Sequence, residues 1–412
     1  MAEPAISVIV VSRDRPDWLR RCLLAVRQLD YPRFETIVVA CPKGAAVARE
    51  AAGVRVIDFD RANISEARNA GITLARGEVL AFIDDDAVPE PTWLAHLAGA
   101  FDAPEVQQAG GVTLGRNGIS LQHGAARVDA SGVSHPAAIE GDSVCIVAPE
   151  DDRLPRLHGT NMALRRSAVE RMYGFDPRFA FYLDETDLTY RISRSGGQTA
   201  FVPKAIVHHA SGPSRYRDAD RTPRHVFEIA ASAAVFHAKH TPQADRDRAR
   251  AEFLTDRRHW ILRHMQRGGL TPDQAWRMIR DLKAGYAEGF QRPQSDPVLQ
   301  TLHHLNDIFQ KESEARDVCL VVDHGRSAAA RAKSKSLVAQ GHRVTVLDYT
   351  HTARFHHVRF VDEGYWLHTG GIFGRELRDE PVFRMLSKAE RVRRTQARLH
   401  GIRSKKMLDL DH

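Results

Sequence analysis

At its most informative point the chain reads Glu78-Val79-Leu80-Ala81-Phe82-Ile83-Asp84-Asp85-Asp86, an apolar run of strand length that stops at three consecutive carboxylates. In an open α/β sheet, ligands bind beyond the C-terminal ends of the strands. Adjacent carboxylates repel one another unless a cation lies among them, and oxygen ligands favour Mg²⁺ or Mn²⁺ over zinc. The alternative is a solvated acidic loop that caps the helix announced by Pro89, Pro91 and Thr92.

The composition is that of a soluble globular protein. The chain has 412 residues, of which 43% are hydrophobic and 27% charged, and this length predicts two or three domains. No apolar stretch approaches the roughly 18 residues of a transmembrane helix, and the N-terminus lacks signal-peptide features. The scattered cysteines argue against a disulfide framework or a zinc knuckle and indicate a reducing cytoplasm. They are Cys22, Cys41, Cys145 and Cys319.

The net charge is 59 − 52 = +7, which suits nucleic acid, an anionic membrane surface or a phosphorylated ligand. The basic excess lies in Arg246–Arg267 and Lys388–Lys406, most simply as solvated helix faces. No nucleic-acid-binding motif or stacking platform accompanies it, so no nucleic acid is expected as a partner. A basic helix that touches the cytoplasmic face of a membrane is the stronger alternative. Its candidate residues are Arg257, Arg258, Trp260, Ile261 and Arg263.

The first half of the chain alternates predicted strands and helices, which indicates a parallel, twisted sheet covered on both faces. Asn63 and Glu66 predict a capped helix over Ile64–Ala75. No glycine-rich G-x-G-x-x-G follows the first strand, where Ser12-Arg13-Asp14-Arg15 stands instead, so a dinucleotide-binding domain is disfavoured. The predicted strands are Ile6–Val11, Glu35–Ala40, Val54–Ile57 and Glu78–Ile83.

The second half is predicted to be mainly helical and then to start a new α/β unit at Asp317. Helical periodicity covers Asn161–Met172, and almost all of Thr222–Phe309, with a capping box at Thr271 and Gln274. The last unit is too short for a complete doubly wound domain, so it is expected to lean on the preceding helices or on another subunit. Its predicted elements are a strand at Val318–Val322, a helix at Ala328–Ala339, a strand at Arg343–Leu347 and a basic helical tail at Pro381–Lys406.

These residues resemble glycosyltransferase family 2, an inverting family with the GT-A fold. The resemblance covers roughly residues 5–212, and its motifs occur in the family's usual order. The matching segments are Val8–Val11, Asn63, Ser65–Gly71, Gly77, Asp84–Asp86, Gly159–Asn161, Gly174–Asp176, Asp184–Leu188, Arg191, Gly196, Pro203 and His208-His209.

The resemblance implies an α/β fold with a GT-A type, mostly parallel sheet flanked by helices, a helical segment and a small Rossmann-like βαβ unit. The implied domains are a catalytic domain at 1–212, a helical extension at 213–316 and an appended unit at 317–412 with its basic tail. Residues 317–370 resemble, more weakly, the start of a GT-B glycosyltransferase of family 4, chiefly in Ala339–Leu347. Only Gly325 stands where such proteins often have a glycine pair, so a non-catalytic relic or docking module is expected.

The resemblance also implies a metal site. The diphosphate leaving group of a nucleotide sugar needs a divalent ion, Mg²⁺ or Mn²⁺. Asp86 matches the metal-binding position of the family's D-x-D motif, and Asp84 the acid that meets the donor's ribose. Asp85 is expected to be solvated. His208 or His209 matches a histidine that completes the metal site, the alternative being two surface histidines at a strand end.

The transfer also needs a base for the acceptor hydroxyl. Glu185 matches this acid, but the family's usual order is Glu-Asp and here it is Asp184-Glu185, so Asp184 stays open as the base. Acids in the first turn of a helix are also favoured by the helix dipole alone. The family's displacement takes place in a single in-line step.

The donor site is implied by further matches. Arg68 and Asn69 resemble positions that face the diphosphate, while Asn161, after Gly159, is expected at the sugar or acceptor. The family's base-reading aspartate is missing after the second strand, where the chain reads Val39-Ala40-Cys41-Pro42-Lys43. Either Asp14 or Asp58 takes its place, or the donor carries another base.

The sequence therefore predicts a metal-dependent inverting glycosyltransferase that moves a sugar from a nucleotide-sugar donor to a glycan or lipid-linked acceptor. Its predicted location is the cytoplasm, with a peripheral contact at the inner face of the membrane, and a homo-oligomer stays open. The alternative is a catalytically silent scaffold that acts through its C-terminal unit. The pairs His303-His304 and His356-His357 lack a third ligand at useful spacing and are interpreted as surface residues.

Overall fold

The computed structural model describes residues 3–139, 141–293, 299, 315–323, 326–403 and 409–411. Its strands are β1 Ile6–Ser12, β2 Phe34–Ala40, β3 Val54–Asp58, β4 Val79–Asp84, β5 Ala87–Pro89, β6 Val106–Leu114, β7 Leu121–His123, β8 Ala126–Val128, β9 Ser134–Pro136, β10 Cys145–Ile146, β11 Leu154–Arg156, β12 Met162–Arg165, β13 Gln198–His209, β14 Asp317–Val321, β15 Arg343–Thr350, β16 His357–Phe360, β17 Trp366–Gly371 and β18 Asp409–Asp411. Its helices are α1 Pro16–Val26, α2 Pro42–Glu50, α3 Ile64–Leu74, α4 Trp93–Ala100, α5 Arg166–Arg171, α6 Asp184–Arg194, α7 Phe227–His240, α8 Arg246–Gln266, α9 Pro272–Gln291, α10 Ser327–Ala339 and α11 Lys388–Leu399, with a 3₁₀ turn at Gln243–Asp245.

The main sheet has the strand order β10-β13-β6-β12-β4-β1-β2-β3, with β5 paired to β13 and β7 to β6. Strands β4, β1, β2 and β3 run parallel to one another, and β12 is antiparallel to both of its neighbours. The predicted α/β fold with a mostly parallel sheet flanked by helices is confirmed. The carboxylates that follow β4 therefore lie at the same sheet edge as the loops after β1, β2 and β3.

Both faces of the sheet are buried, as a continuous apolar strand pattern predicts. On one face Val8 and Val10 of β1 pack with Leu19 and Cys22 of α1, and on the other face Ile9 packs with helix α3. The close approach of α3 depends on Gly71, where a Cβ would lie 2.6 Å from the Ile9 side chain. The opening strand thus forms the centre of the core and fixes the position of its own C-terminal loop.

The strong local capping signals are confirmed. The Asn63 side chain accepts a hydrogen bond from the Glu66 backbone N–H, and Thr271 and Gln274 form a reciprocal capping box. The helix predicted over Asn161–Met172 is wrong at its start, because residues 162–165 form β12 and α5 begins only at Arg166. Strands β4 and β6 flank this segment and supply hydrogen-bond partners on both sides, which overrides its local helical pattern.

The helices of the extension pack directly on the first domain. Lys239 Nζ of α7 lies 2.8 Å from Asp187 Oδ1 of α6, and His240 Nε2 lies 2.8 Å from the same oxygen. Helix α9 packs closely on α7 because Gly289 lacks a side chain, and a Cβ there would lie 2.2 Å from the Ala231 carbonyl oxygen. Helix α6, which carries the two candidate bases, is thereby held by the extension. The boundary at residue 212 stays a prediction.

The C-terminal unit contains a sheet of order β16-β17-β15-β14-β18, and β14, α10 and β15 form the predicted parallel βαβ unit. This unit packs on the first domain. Arg21 of α1 pairs with Asp362 at 2.6 Å, and Gln28 donates a hydrogen bond to the Gly364 carbonyl at 2.6 Å. The predicted basic tail is helical over Lys388–Leu399.

Two remaining predictions concern histidines and glycines of the last third of the chain. His356 is buried and hydrogen-bonded to His368 at 3.0 Å, so its interpretation as a surface residue is wrong. Gly325 and the His303-His304 pair lie outside the described residues.

Among the helices that the structure describes, none has the length and apolar character that crossing a membrane requires.

Candidate active site

Three side chains converge at the end of β4. Asp84 ends that strand, Asp86 follows two residues later, and His209 ends β13, and their ligand atoms all lie within 4.8 Å of one another. The short strand β5 brings them together, because Ala87 pairs with His209 in an antiparallel ladder. Two carboxylates and an imidazole are a donor set that can hold a divalent metal ion. Asp84, expected at the ribose, is thus placed in the candidate metal cluster.

The structure distinguishes the two candidate histidines. His209 Nε2 lies 3.2 Å from Asp86 Oδ1, whereas His208 Nε2 donates a hydrogen bond to Glu90 Oε1 at 2.9 Å. Neighbouring side chains in a strand point to opposite faces of the sheet, so only one of the two could reach the carboxylates. The inclusion of His208 as a candidate ligand is corrected by this geometry.

The middle carboxylate is not solvated, contrary to the sequence prediction. Asp85 is 0% exposed, accepts a hydrogen bond from Ser12 Oγ at 2.7 Å and forms an ion pair with Arg15. Burial raises the pKa of Asp85 to about 7, against the attraction of Arg15 and with a further contribution from Asp86. Asp85 therefore fixes the loop after β1 to the acidic loop after β4.

The Oδ2 oxygen of Asp86, which does not face His209, is contacted by several hydrogen-bond donors. This oxygen lies 3.0 Å from Arg15 Nη1 and 3.5 Å from Arg217 Nη2, and it accepts the Gly212 N–H at 2.7 Å. Burial works to raise the pKa of Asp86, but the hydrogen bond from His209 and the charge of Arg15 hold it well below its ordinary value. The sequence analysis missed both arginines. The position of Arg15 could have been predicted, because it follows β1, a strand parallel to β4. No sequence pattern indicates the position of Arg217.

Arg68 links the metal cluster to the candidate base. It pairs with Asp184 of α6 through Nη1, and its Nη2 lies 3.5 Å from Asp84 Oδ1. Thr160 Oγ1 donates to Asp84 Oδ2 at 2.5 Å. A Cβ on Gly159 would lie 2.5 Å from Arg68 Nη2, so the missing side chain makes room for this guanidinium rather than for a ligand.

The two adjacent acids of α6 differ in environment. Asp184 is buried against Arg68, while the Glu185 side chain is 14% exposed, with Oε1 3.4 Å from Arg156 Nη2. Burial raises the pKa of Asp184 to about 7, a shift that the charge of Glu185 increases and Arg68 opposes. Burial also works to raise the pKa of Glu185, but Arg156 and Arg68 together hold it below its ordinary value. Of the two acids, Glu185 is thus the ionised one, and it keeps a small exposed fraction.

The side chains of Asn69 and Asn161, which the sequence predicts at the ligand, form hydrogen bonds with other groups of the protein. Asn69 Nδ2 donates to the Phe175 carbonyl at 2.7 Å, and its Oδ1 accepts the Phe175 N–H at 2.9 Å. Asn161 donates to two backbone carbonyls, and its Oδ1 accepts from Trp93 Nε1 at 2.8 Å. Both side chains therefore hold loops in place, which corrects the expectation that they face the donor or acceptor.

The acids predicted near the donor's base lie at the rim of the sheet. Asp14 is exposed with φ of 57°, and its backbone N–H lies 3.3 Å from Cys41 Sγ. It therefore lies beside the position where the family's base-reading acid is missing. Asp58 ends β3 and pairs with Arg49. Both acids lie at the end of β2, because Asp58 pairs with Ala40 in the parallel β2–β3 ladder and Asp14 contacts Cys41.

A cavity of about 500 Å³ adjoins the metal cluster on the side of β7. Gln122 lines it, and its Nε2 lies 2.8 Å from His209 Nδ1. His123 and His158 also line it, with ring centroids 4.0 Å apart. Burial is the main cause that lowers the pKa of His123 to about 4, so this wall is uncharged at neutral pH. These residues lie in the stretch that the sequence analysis left as irregular loops and short strands.

The comparisons with known proteins concern mainly the first half of the chain. Residues 4–227 match the model of "Glycosyltransferase like family 2". The O-antigen biosynthesis protein RfbC of Myxococcus xanthus is 29% identical over 227 residues, which are 52% of this chain and 18% of that protein. The N-acetylglucosaminyl-diphospho-decaprenol L-rhamnosyltransferase of Mycobacterium tuberculosis is 34% identical over 70 residues, 17% of this chain and 23% of that protein.

Among solved structures, the crystal structure of GalNAc-T7 with UDP, GalNAc and Mn²⁺ is similar at a TM-score of 0.44 and 16% identity, over 57% of this chain and 48% of that one. The chain spans less than a quarter of each of the two curated relatives named above. The family match covers more than half of the chain and includes every residue of the metal cluster and of the acid pair. The chain belongs to the glycosyltransferase-like family 2.

Proposed function

We propose that this glycosyltransferase is metal-dependent and inverting, and that it moves a sugar from a nucleotide-sugar donor to a hydroxyl of a glycan or lipid-linked acceptor. One observation carries the proposal: Asp84, Asp86 and His209 are brought within ligand distance of one another, and Arg68 connects this cluster to the acids of α6. A metal site next to a solvent-accessible carboxylate is what a single displacement with a charged leaving group requires.

The cluster is the proposed site of Mn²⁺ or Mg²⁺. A bound divalent ion supplies positive charge that offsets the charge developing on the leaving diphosphate. Asp84 and Asp86 would hold it through one carboxylate oxygen each, and His209 through Nε2. Gln122, next to His209 Nδ1, would orient the imidazole. Arg15 and Arg217 lie on Asp86 and are proposed to take over the contacts to the diphosphate that were expected of Asn69.

Glu185 is the proposed general base. Its carboxylate takes the proton of the acceptor hydroxyl while the acceptor oxygen forms its bond to the anomeric carbon. The bond from that carbon to the phosphate oxygen breaks in the same step, and its electron pair leaves with the diphosphate. Asp184 is buried against Arg68, and we propose that it holds the first turn of α6, which carries Glu185, in position and does not take the proton itself. Because the acceptor oxygen attacks once, from the face opposite the leaving group, the anomeric configuration inverts.

The acceptor is proposed to enter through the cavity beside Gln122, and the donor's nucleotide to lie over the ends of β1 and β2, near Asp14 and Cys41. The cavity wall of His123 and His158 carries no charge at neutral pH, which suits the uncharged face of a sugar ring. The names of the two relatives, one in O-antigen biosynthesis and one acting on a decaprenyl-linked sugar, support a glycan or lipid-linked acceptor.

The test is slow donor hydrolysis and transfer across a panel of nucleotide sugars, with and without Mn²⁺, in the full chain and in Asp86→Asn. We expect turnover of one donor that depends on Mn²⁺ and is lost in the variant. Asp256→Asn, which changes an exposed acid on α8, is the matched control and should keep full activity. Transfer that persists in Asp86→Asn would refute the metal assignment. A folded protein that binds no donor would favour the silent scaffold instead.

A further inference from the structure

The C-terminal unit inserts one arginine into the first domain next to the metal-bearing strands. Arg403, with its side chain 2% exposed, forms a two-pronged ion pair with Glu90. Its Nε lies 2.9 Å from Glu90 Oε2, and its Nη2 lies 2.7 Å from Oε1. Planar pairing of this kind fixes direction as well as distance. The contact therefore defines where Glu90 lies relative to the C-terminal unit.

Glu90 also contacts strand β13, which ends at His209 of the candidate metal site. Its Oε1 also accepts a hydrogen bond from His208 Nε2 at 2.9 Å. Burial works to raise the pKa of Glu90, but Arg403 and His208 lower it to about 2. Glu90 is therefore a buried anion whose two partners come from different parts of the chain, and the loss of Arg403 would leave its charge uncompensated.

The strand pair that carries the metal cluster is short. Strand β5 has three residues, and its ladder to β13 pairs Ala87 with His209 and Val88 with His208. Asp86 precedes β5, and its carbonyl accepts the N–H of Ala210. On one side of this ladder His209 faces Asp84 and Asp86. On the other side His208 faces Glu90, which is paired with Arg403.

The far side of the ladder is covered by the C-terminal unit. The Trp366 ring packs against His208 at 4.8 Å between centroids, and the Arg403 guanidinium lies 4.1 Å from the Trp366 ring centroid. Val88 belongs to the same apolar cluster as Val358 and Trp366. The ladder is therefore packed against β17 on the side opposite the metal cluster.

We propose that Arg403 is a positioning residue of the metal site. Through Glu90 and His208 it holds the β5–β13 ladder, and this keeps Asp86 and His209 at ligand distance. The C-terminal unit thereby acts as a brace for the active site, in place of the relic or docking module that the sequence suggested. The inference rests on the proposed function insofar as the cluster binds a divalent ion.

The test uses the full chain and measures the affinity for Mn²⁺ alone by isothermal titration calorimetry, together with the melting temperature. Arg403→Met should weaken Mn²⁺ binding about tenfold, because a displaced β5–β13 ladder would misplace Asp86 and His209, and groups that orient metal ligands affect metal affinity by about this factor. Hydrogen–deuterium exchange should show faster exchange in residues 206–210 of the variant.

The matched control is Arg343→Met. Arg343 is a buried arginine of the same unit that lies 3.5 Å from Asp30 of the first domain and also pairs with Asp317, away from the ladder. It should lower the melting temperature and leave the Mn²⁺ affinity unchanged.

If Arg403→Met lowers the melting temperature as Arg343→Met does and binds Mn²⁺ as the unaltered chain does, Arg403 is merely structural and the proposal is overturned. If Arg403→Met does not fold, Arg403→Lys keeps a charge next to Glu90 but loses the two-pronged contact, and unchanged Mn²⁺ affinity there also overturns it. An unaltered chain that binds no Mn²⁺ removes the metal assignment itself, which is a different result from either.

Discussion

Arg68 forms a buried ion pair with Asp184, 116 residues away in sequence, and its second Nη nitrogen lies 3.5 Å from Asp84. One guanidinium thus connects the end of β4 to the first turn of α6. This connection explains why the acid pair and the metal cluster keep a fixed distance although they lie on different elements. It also assigns Asp184 a close partner, whereas Glu185 has only the longer contact of 3.4 Å to Arg156.

Arg68→Met should therefore remove both stability and activity. Without the arginine the pKa of Asp184 rises further, so the acid would be buried as a neutral group that has lost its partner, which costs about 1–3 kcal/mol of unfolding free energy. In the double variant Arg68→Met with Asp184→Leu most of that stability should return, because both polar partners are removed together, whereas activity should stay low. Urea denaturation and steady-state rates measure the two effects. Equal recovery of both would mean that the pair is structural only.

The pH profile of transfer distinguishes the two candidate bases. A base must be deprotonated to act, so activity falls as the pH drops through its pKa. The pKa of Glu185 is lowered from an ordinary value of 4.5, so kcat/KM should be constant from neutral pH down to the stability limit of the protein. If Asp184 were the base, its pKa of about 7 would make activity fall below neutral pH.

Matched variants complete that experiment. Glu185→Gln should lower kcat by about 10²–10⁴-fold with little change in donor KM, because a general base acts in the transition state. Asp184→Asn should keep a measurable rate with the same flat profile. A profile that loses activity near pH 7 in the unaltered chain, together with an active Glu185→Gln, would transfer the base role to Asp184.

Gly159 and Gly99 offer a clean pair of glycine substitutions. In Gly159→Ala the new Cβ would lie 2.5 Å from Arg68 Nη2, so the guanidinium must move, and we expect a loss of about 1–3 kcal/mol with a loss of activity. Gly99 lies in helix α4 with open space around its Cα, so Gly99→Ala should stabilise by about 0.5–1 kcal/mol and leave the rate unchanged. Thermal denaturation and transfer rates are the measurements. An active, stable Gly159→Ala would show that Arg68 need not lie where the structure has it.

Local signals explain what the sequence could predict. The strand at Glu78–Ile83 is observed as Val79–Asp84, and the cap at Asn63 forms with the partner expected, because a strand of buried residues and a capping side chain depend on neighbours in sequence. The order of the acids along the chain was also readable. From that order the sequence predicts Asp84 and Asp86 at the C-terminal end of a central strand, independently of how the neighbouring loops fold.

The remaining parts of the site depend on pairings that no local pattern encodes. His209 rather than His208 reaches Asp86 because of the register between β5 and β13, and a shift by one residue would exchange the two. Asn161 is expected at the sugar or acceptor because it matches the family's motif after Gly159, but its side-chain partner Trp93 lies 68 residues away. The C-terminal contact between Glu90 and Arg403 spans 313 residues and leaves no trace in either local sequence.

The basic helices of the extension lead to a prediction about membranes. The sequence analysis proposed a lipid contact through Arg257, Arg258, Trp260, Ile261 and Arg263, but Ile261 is fully buried against the other helices of the extension. Two aromatic residues of α9 are exposed instead, Trp276 at 65% and Phe290 at 50%. Arg280 and Lys283, one and two turns further along the same helix, are also exposed.

An exposed tryptophan beside basic residues is the composition that suits an anionic lipid surface. We therefore expect the full chain to float with liposomes that contain anionic lipid, and Trp276→Ser to lower the bound fraction several-fold, since its ring is the most exposed large apolar side chain of α9. Tyr173→Ser is the matched control, because Tyr173 is 61% exposed on the first domain, and it should not change the bound fraction. Equal flotation of the two variants, or flotation that is indifferent to anionic lipid, would exclude α9 as the contact surface.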